Sequence, residues 1–150
     1  MQLDIKEQSL ILEGKKYSRK ELMSLSANAT GDNTSSFLLD LYRFLADWFS
    51  DSPFMTVHTS GSTGTPKVLT VRKEQMMQSA RMTCEFLNLH TGDTALLCMP
   101  LQYIAGKMMV VRALVAGLNL ILRTPSGHPL ADVTVPLRFV AMVPLQVFNT

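Results

Sequence analysis

The apolar positions of this chain recur at two periods, one helical and one extended, and the two alternate along the sequence. Apolar residues spaced three or four positions apart predict four helices. These helices cover 18–25, 34–52, 72–89 and 104–116. The first opens on a capping-box pattern, in which Ser18 precedes Glu21 by three positions. In the third, the residues predicted to face the core are Met76, Ala80, Cys84 and Leu87.

Shorter runs of alternating or β-branched residues lie between these helices and predict strands. They cover 3–12, with a turn near Gly14, and then 54–58, 68–71, 94–99, 118–123 and 137–143. Pro144 is expected to open a further helix, because proline is favoured at the first helical position. Strands that alternate with helices of this length indicate βαβ units. The predicted fold class is therefore α/β, with a mainly parallel sheet and flanking helices.

Composition and charge are typical of a single globular domain. The chain has 150 residues, of which 47% are hydrophobic and 17% charged, and its formal net charge is +2. No stretch is basic enough to indicate a nucleic-acid or membrane-surface partner. The longest apolar run, 108–122, is interrupted by Arg112 and Asn119 and is too short for a bilayer, so no membrane span is expected.

The cysteines and histidines indicate a reduced compartment and no resident metal. Cys84 and Cys98 have no Cys or His at metal-ligand spacing, so both are predicted to be buried thiols. The three histidines are far apart, and His58 is interpreted as a structural strand residue. The first residues also lack the continuous apolar stretch of a secretory signal, so we expect a cytoplasmic protein.

The densest cluster of candidate chemistry lies between two predicted strands. It reads Thr59, Ser60, Gly61, Ser62, Thr63, Gly64, Thr65, Pro66 and Lys67. The two glycines permit positive φ and let backbone N–H groups approach an anion without a Cβ in the way. The hydroxyl groups add donors, and Lys67 supplies a point charge. The segment 59–67 is therefore predicted to hold a polyphosphate.

Two alternatives for this segment are weaker. A flexible Gly/Ser/Thr linker would have a similar composition, but here the strands on both sides leave little slack. A Walker A loop would explain the six-residue separation of Gly61 and Lys67. However, Pro66 has no N–H where that motif needs a glycine, and Val68 stands where a hydroxyl must reach Mg²⁺. A Walker A loop also opens a helix, whereas a strand is predicted here.

The nine-residue segment 59–67 resembles the signature loop of the adenylate-forming superfamily, which includes acyl-CoA synthetases, luciferases and the adenylation domains of peptide synthetases. Farther along, 99–106 is similar to the second motif of that family, in which Pro-Leu precedes an aromatic residue or His and then a Gly that opens a helix. The segments 113–117 and 143–146 are similar to later stretches of the family, in the same order. The resemblance covers about residues 54–150.

This resemblance implies a carboxylate-activating enzyme that uses ATP, Mg²⁺ and coenzyme A, with a small-molecule carboxylate as substrate. Residues 59–65 and Lys67 would bind ATP phosphates, and Lys67 would act electrostatically on the leaving pyrophosphate. Tyr103 and Gly106 of the second motif would lie at the substrate pocket. The chain would divide into an N-terminal strand and helix segment, 1–52, and the first part of the AMP-binding core, 53–150.

Three features set this chain apart within the superfamily. Val68 follows the loop lysine, where the family usually has glycine. Tyr103 stands where histidine is frequent, and an aromatic side chain that simply packs near a helix start remains an alternative for it. Only 58 residues precede the loop. That short head, together with 98–107, is similar to the compact 2-succinylbenzoate:CoA ligases of menaquinone biosynthesis.

The resemblance also implies that much of the catalytic machinery lies outside these residues. The family's adenine-binding, ribose-binding and Mg²⁺-binding motifs, and the small C-terminal domain with its catalytic lysine, come later than residue 150. We therefore expect an N-terminal fragment that is inactive alone, with Thr150 as a truncation boundary. Two other classes stay open: a non-catalytic nucleotide- or phosphate-binding module, and a scaffold that forms a homodimer through exposed apolar surface.

Overall fold

Most elements lie where the sequence predicts them, but the strand predicted over 3–12 forms only at Ser9–Leu12, because a 3-10 helix occupies Ile5–Glu7. The computed structural model describes residues 1–59, 65, 67–131, 133–141 and 146. The helices are α1 (Arg19–Asn28), α2 (Ser36–Trp48), α3 (Lys73–Phe86) and α4 (Ile104–Ala116). The strands are β1 (Ser9–Leu12), β2 (Lys15–Ser18), β3 (Phe54–Thr59), β4 (Lys67–Arg72), β5 (Thr94–Leu97), β6 (Asn119–Leu122) and β7 (Phe139–Val140).

The larger sheet is mainly parallel, which confirms the predicted fold class. Its strand order is β2-β1-β6-β5-β7. The pairs β1–β6, β6–β5 and β5–β7 are parallel, and β1–β2 is an antiparallel hairpin. The hairpin turns at Glu13 and Gly14, which both have positive φ, as two-residue turns that match strand twist require. Helix α4 connects β5 to β6 as the crossover of a βαβ unit.

A second, two-stranded sheet contains β3 and β4 alone among the described residues. The two strands are antiparallel and pair from Phe54 with Arg72 at one end to Thr59 with Lys67 at the other. The two predicted strands on either side of the loop are confirmed. The sequence did not predict that these two strands pair with each other.

Helix α2 buries the apolar stripe that its sequence predicts. Leu41, Phe44, Leu45 and Trp48 are buried, and the Phe44 and Trp48 rings stack with centroids 5.9 Å apart. The indole Nε1 of Trp48 donates to Oε1 of Gln8 at 2.8 Å, and Nε2 of Gln8 donates to the Gln2 carbonyl at 2.9 Å. Gln8 is thus a buried polar side chain whose groups have partners, as stability requires.

Replacing Gln8 by leucine is expected to destabilise the protein by about 1–2 kcal/mol, because the buried Trp48 N–H would lose its acceptor. The matched control is Gln75→Leu at an exposed position of α3, which should change the free energy of unfolding by less than about 0.5 kcal/mol. Denaturant titration of the full-length protein measures both. Equal effects of the two substitutions would contradict the role of this hydrogen bond.

Helix α4 has the bounds that the sequence predicts, and α3 does not. Gly117 ends α4 in the left-handed conformation, with φ of 72°. Helix α3 ends at Phe86, so the prediction that Leu87 faces the core is wrong: its exposed fraction is 38%. Asn88 has positive φ and turns the chain, and Leu89 is buried instead. The helical period therefore breaks one residue before the predicted core position.

Two further predictions differ in extent. The strand predicted at 137–143 is assigned only at Phe139–Val140, which is half-buried, while 142 and 143 lie outside the described residues. The helix predicted to open at Pro144 also falls largely outside them, and Gln146 is helical. In the part of the chain that the structure describes, no helix is long and apolar enough to cross a bilayer.

Cys84 and Cys98 are both fully buried and free, as predicted. Burial raises the pKa of each thiol, which keeps it in the unreactive protonated form at neutral pH. Alkylation of both side chains in the native full-length protein is expected to be at least tenfold slower than in the unfolded chain, because reaction requires local opening. Peptide mass spectrometry after timed iodoacetamide treatment checks this, and equal native and unfolded rates would contradict it.

Candidate functional site

The predicted phosphate loop is closed at its base by the β3–β4 ladder. Thr59 and Lys67 are directly paired, so their Cα atoms lie about 5 Å apart. Lys67 and Thr65 are exposed and Thr59 is half-buried. The predicted site residues Ser60, Gly61, Ser62, Thr63 and Gly64 lie outside the described residues. The two ends of the predicted loop are therefore neighbours in space.

The turn after β5 lies beside the strand that leads into this loop. Tyr103 makes an isolated parallel backbone bridge with His58, the residue before Thr59. Tyr103 is also the N-cap of α4, with extended backbone angles and no side-chain cap hydrogen bond. The second sequence motif and the start of the predicted loop are therefore neighbours in space, although Tyr103 lies far beyond Lys67 in the chain.

Gly106 is buried where α4 touches the turn after β5. A Cβ on Gly106 would lie 2.3 Å from the Pro100 carbonyl oxygen and 2.9 Å from its carbonyl carbon. Both distances are far below van der Waals contact, so only glycine allows this approach. Gly106 thus lies against the main chain of the turn, and the described residues that line the adjacent cavity do not include it.

A cavity of about 380 Å³ opens at the carboxyl ends of β5 and β6. Its wall is formed by the first turn of α2, the turn after β5 and the two residues that follow Arg123. These residues are Ser36, Phe37, Asp40, Pro100, Leu101, Gln102, Tyr103, Thr124 and Pro125. In open α/β sheets ligands bind in crevices at this end of the strands. Of the predicted pocket residues, Tyr103 lines the cavity.

Another cavity, of about 420 Å³, lies at the far end of the β3–β4 hairpin. Arg72 and Lys73 contribute to its wall, and no described residue of the loop does. The Lys73 ammonium is directed to Ser50, with Nζ 3.0 Å from the Ser50 carbonyl oxygen and 3.3 Å from Oγ. Six strand residues separate this cavity from the loop, a distance of about 20 Å. It is therefore remote from the predicted phosphate chemistry.

Lys107 is a charged residue at the site to which the sequence assigned no role. It is half-buried, and its Nζ donates to the Leu101 carbonyl oxygen. The same Nζ lies 5.8 Å from the centroid of the Phe44 ring. Burial lowers the pKa of Lys107, and the carboxylates of Asp47 and Asp40 oppose this shift. The sequence signal was a lysine in the first turn of a helix whose other residues, apart from Arg112, are apolar or small.

Comparison with protein families gives a match along nearly the whole chain. A family model described as AMP-binding enzyme matches residues 3–150. The chain belongs to the AMP-binding enzyme family. The predicted membership of the adenylate-forming superfamily is thereby confirmed at this level, while the narrower resemblance to 2-succinylbenzoate:CoA ligases stays a prediction. A search of curated proteins gives no match.

The chain is also similar to solved structures, and the first of them agrees with membership of the AMP-binding enzyme family. The acyl-CoA synthetase (AMP-forming)/AMP-acid ligase II-like protein from Dyadobacter fermentans is 36% identical, with a TM-score of 0.72 over 85% of this chain. The inhibitor-bound N-terminal domain of FACL13 from Mycobacterium tuberculosis is 20% identical over 55% of this chain and 24% of its own, with a TM-score of 0.43. The match covers 36% of the Dyadobacter chain, so this chain spans about a third of that length.

Proposed function

We propose that this chain is the N-terminal part of an ATP-dependent, AMP-forming carboxylate:CoA ligase. The observation that carries the proposal is the pairing of Thr59 with Lys67, which brings the two ends of the segment 59–67 together beside the Tyr103 turn. Family membership and the likeness to an acyl-CoA synthetase support it. The free buried thiols favour a reducing compartment, and we infer the cytoplasm.

In the proposed reaction, a carboxylate oxygen of the substrate attacks the α-phosphorus of ATP. The bond from that phosphorus to the bridging oxygen breaks, and pyrophosphate leaves with the bonding electron pair. The hydroxyls and N–H groups of 59–65 hold the β and γ phosphates, and the Lys67 ammonium stabilises the charge that develops on pyrophosphate. The coenzyme A sulfur then attacks the acyl carbonyl, and AMP leaves as the thioester forms.

Mg²⁺ would enter this site with ATP. The described residues contain no group of three His, Cys, Asp or Glu side chains that could hold a metal ion by themselves. Mg²⁺ is commonly bound by substrate phosphates and only one or two carboxylates, and it retains several waters. We therefore propose that the ion is delivered as the ATP complex and neutralises phosphate charge there.

We propose that the acyl part of the substrate occupies the cavity at the carboxyl ends of β5 and β6. The rings of Phe37 and Tyr103 and the two prolines form the apolar part of this wall, which also includes Asp40 and three uncharged polar side chains. Such a wall favours a ring-containing carboxylate, because aromatic pairs gain about 0.5–1.5 kcal/mol beyond the burial of area. This supports 2-succinylbenzoate as the substrate within the class.

The products of the full-length protein test the proposal. Incubated with ATP, coenzyme A, Mg²⁺ and a panel of aromatic and aliphatic carboxylates including 2-succinylbenzoate, it should form AMP, pyrophosphate and an acyl-CoA, which liquid chromatography with mass spectrometry detects. Formation of ADP and phosphate would contradict the reaction. Binding of ATP without turnover of any acid would favour a non-catalytic nucleotide-binding module instead.

A further inference from the structure

Two successive residues of α4 contact two successive backbone carbonyl groups of the turn after β5. Gly106 allows the Pro100 carbonyl to approach the helix, and Lys107 donates to the Leu101 carbonyl. The first contact lets the main chain of the turn pack closely against the main chain of the helix. The second is a charge-assisted hydrogen bond. Together they fix the position of the turn relative to the helix axis.

This turn contributes directly to the candidate site. All four of its residues, 100–103, line the cavity of about 380 Å³. Tyr103, at its end, makes the backbone bridge to His58 just before the phosphate loop. A displacement of the turn would therefore alter mainly the cavity wall. It would shift the start of the loop less, because only the backbone bridge from Tyr103 to His58 connects the two.

The choice of lysine at 107 is not what packing alone would favour. Half-burying an ammonium group costs free energy, and an apolar side chain of similar length would fill the same space without that cost. Lys107 recovers part of the cost from the Leu101 carbonyl and from the face of the Phe44 ring. The half-buried charge of Lys107 is therefore better explained by the position of the turn that it fixes than by a contribution to stability.

We propose that Lys107 is a positioning residue, which holds the turn 100–103 against α4 through the Leu101 carbonyl and thereby fixes the wall that the carboxylate substrate contacts. The expected effect on the carboxylate KM rests on the proposed function. The expected effect of Lys107 on the position of the turn does not. Lys107 does not touch ATP or the reacting atoms in this account.

The test variant is Lys107→Met in the full-length protein, which keeps the apolar stem over Phe44 and removes the donor. The KM for the carboxylate should rise about tenfold, as expected for the loss of one hydrogen bond from a charged donor, and the KM for ATP less than threefold. Lys107→Arg restores a cationic donor and should return the carboxylate KM to within threefold of the original. Lys20→Met, at an exposed position in α1, is the matched control and should change neither constant.

Hydrogen–deuterium exchange of the same proteins separates this inference from the proposed function. In Lys107→Met, amide exchange should become faster in peptides covering 98–104 and stay unchanged in peptides from α3. Unchanged exchange at 98–104 would overturn the inference whatever the activity, as would faster exchange along the whole chain or equal rises in both KM values. If the original protein activates no carboxylate, the proposed function fails while the exchange result still decides the role of Lys107.

Discussion

Replacing Lys67 by alanine in the full-length protein is expected to slow carboxylate-dependent ATP–pyrophosphate exchange by about 100- to 1000-fold, the range measured for the loss of one preorganised charge-stabilising donor. Lys67 is the first residue of β4 and pairs with Thr59, so its backbone is fixed at the base of the loop. Its side chain is exposed and free to reach a phosphate. The loss should appear mainly in kcat, because the charge on pyrophosphate develops in the transition state.

The matched control is Lys16→Ala, at an exposed strand position in β2 on the edge of the larger sheet. It makes the same change of charge and should leave the exchange rate within about twofold, since exposed charges farther than a Debye length of roughly 10 Å are screened. If Lys67→Ala exchanged pyrophosphate as fast as Lys16→Ala, Lys67 would have no electrostatic role in the reaction.

Gly106→Ala is expected to destabilise the protein by about 3 kcal/mol, the upper part of the usual range for overpacking. The new Cβ would lie 2.3 Å from the Pro100 carbonyl oxygen, and no rotamer change can relieve a clash between a Cβ and a main chain. Helix propensity acts in the opposite direction, because alanine in a helix interior is favoured over glycine by about 1 kcal/mol. The sign of the measured change therefore decides between the two effects.

Gly31→Ala serves as the control for this substitution. Gly31 lies between α1 and α2, has no positive φ, and an added Cβ there would meet nothing within 4 Å. Its effect should stay below about 0.5 kcal/mol. Denaturant titration of both variants gives the comparison, and a Gly106→Ala protein as stable as the original would show that the turn at Pro100 can move without cost.

Hydrophobic periodicity predicted best the helices whose ends are marked by residues within the helix itself. Helix α4 is buried nearly all round, and Gly117 marks its end, so its bounds follow from the sequence. The capping box at Ser18 likewise fixed the start of α1, which continues to Asn28, three residues beyond the prediction. The phosphate chemistry of 59–67 stays a prediction, made from its glycines, hydroxyls and lysine and from the resemblance to the family's signature loop.

Contacts between distant segments were not predictable in the same way. The pairing of β3 with β4 follows from tertiary register, which neither strand encodes alone. The burial of Leu89 in place of Leu87 depends on a single turn at Asn88. The contact of Gly106 with the Pro100 carbonyl became visible only when the turn and the helix were seen together.

The order of the strands explains where the site lies. β5 and β6 are adjacent and parallel, so their carboxyl ends open on the same edge of the sheet. The segments that follow them, 100–103 and 124–125, form the cavity wall with the start of α2. The bridge from Tyr103 to His58 then brings Thr59, where the predicted phosphate loop begins, close to this edge. The fold thus brings the loop and the cavity together from segments far apart in the chain.

The fate of a labelled carboxylate oxygen tests the central claim most directly. The full-length protein would be incubated with ATP, coenzyme A and an accepted acid that carries ¹⁸O at both carboxylate positions. The masses of the products would be measured by mass spectrometry. Attack of the carboxylate on the α-phosphorus predicts AMP that contains one ¹⁸O atom and pyrophosphate that contains none. Label in inorganic phosphate, or AMP without label, would contradict an acyl-adenylate and the role we assign to this loop.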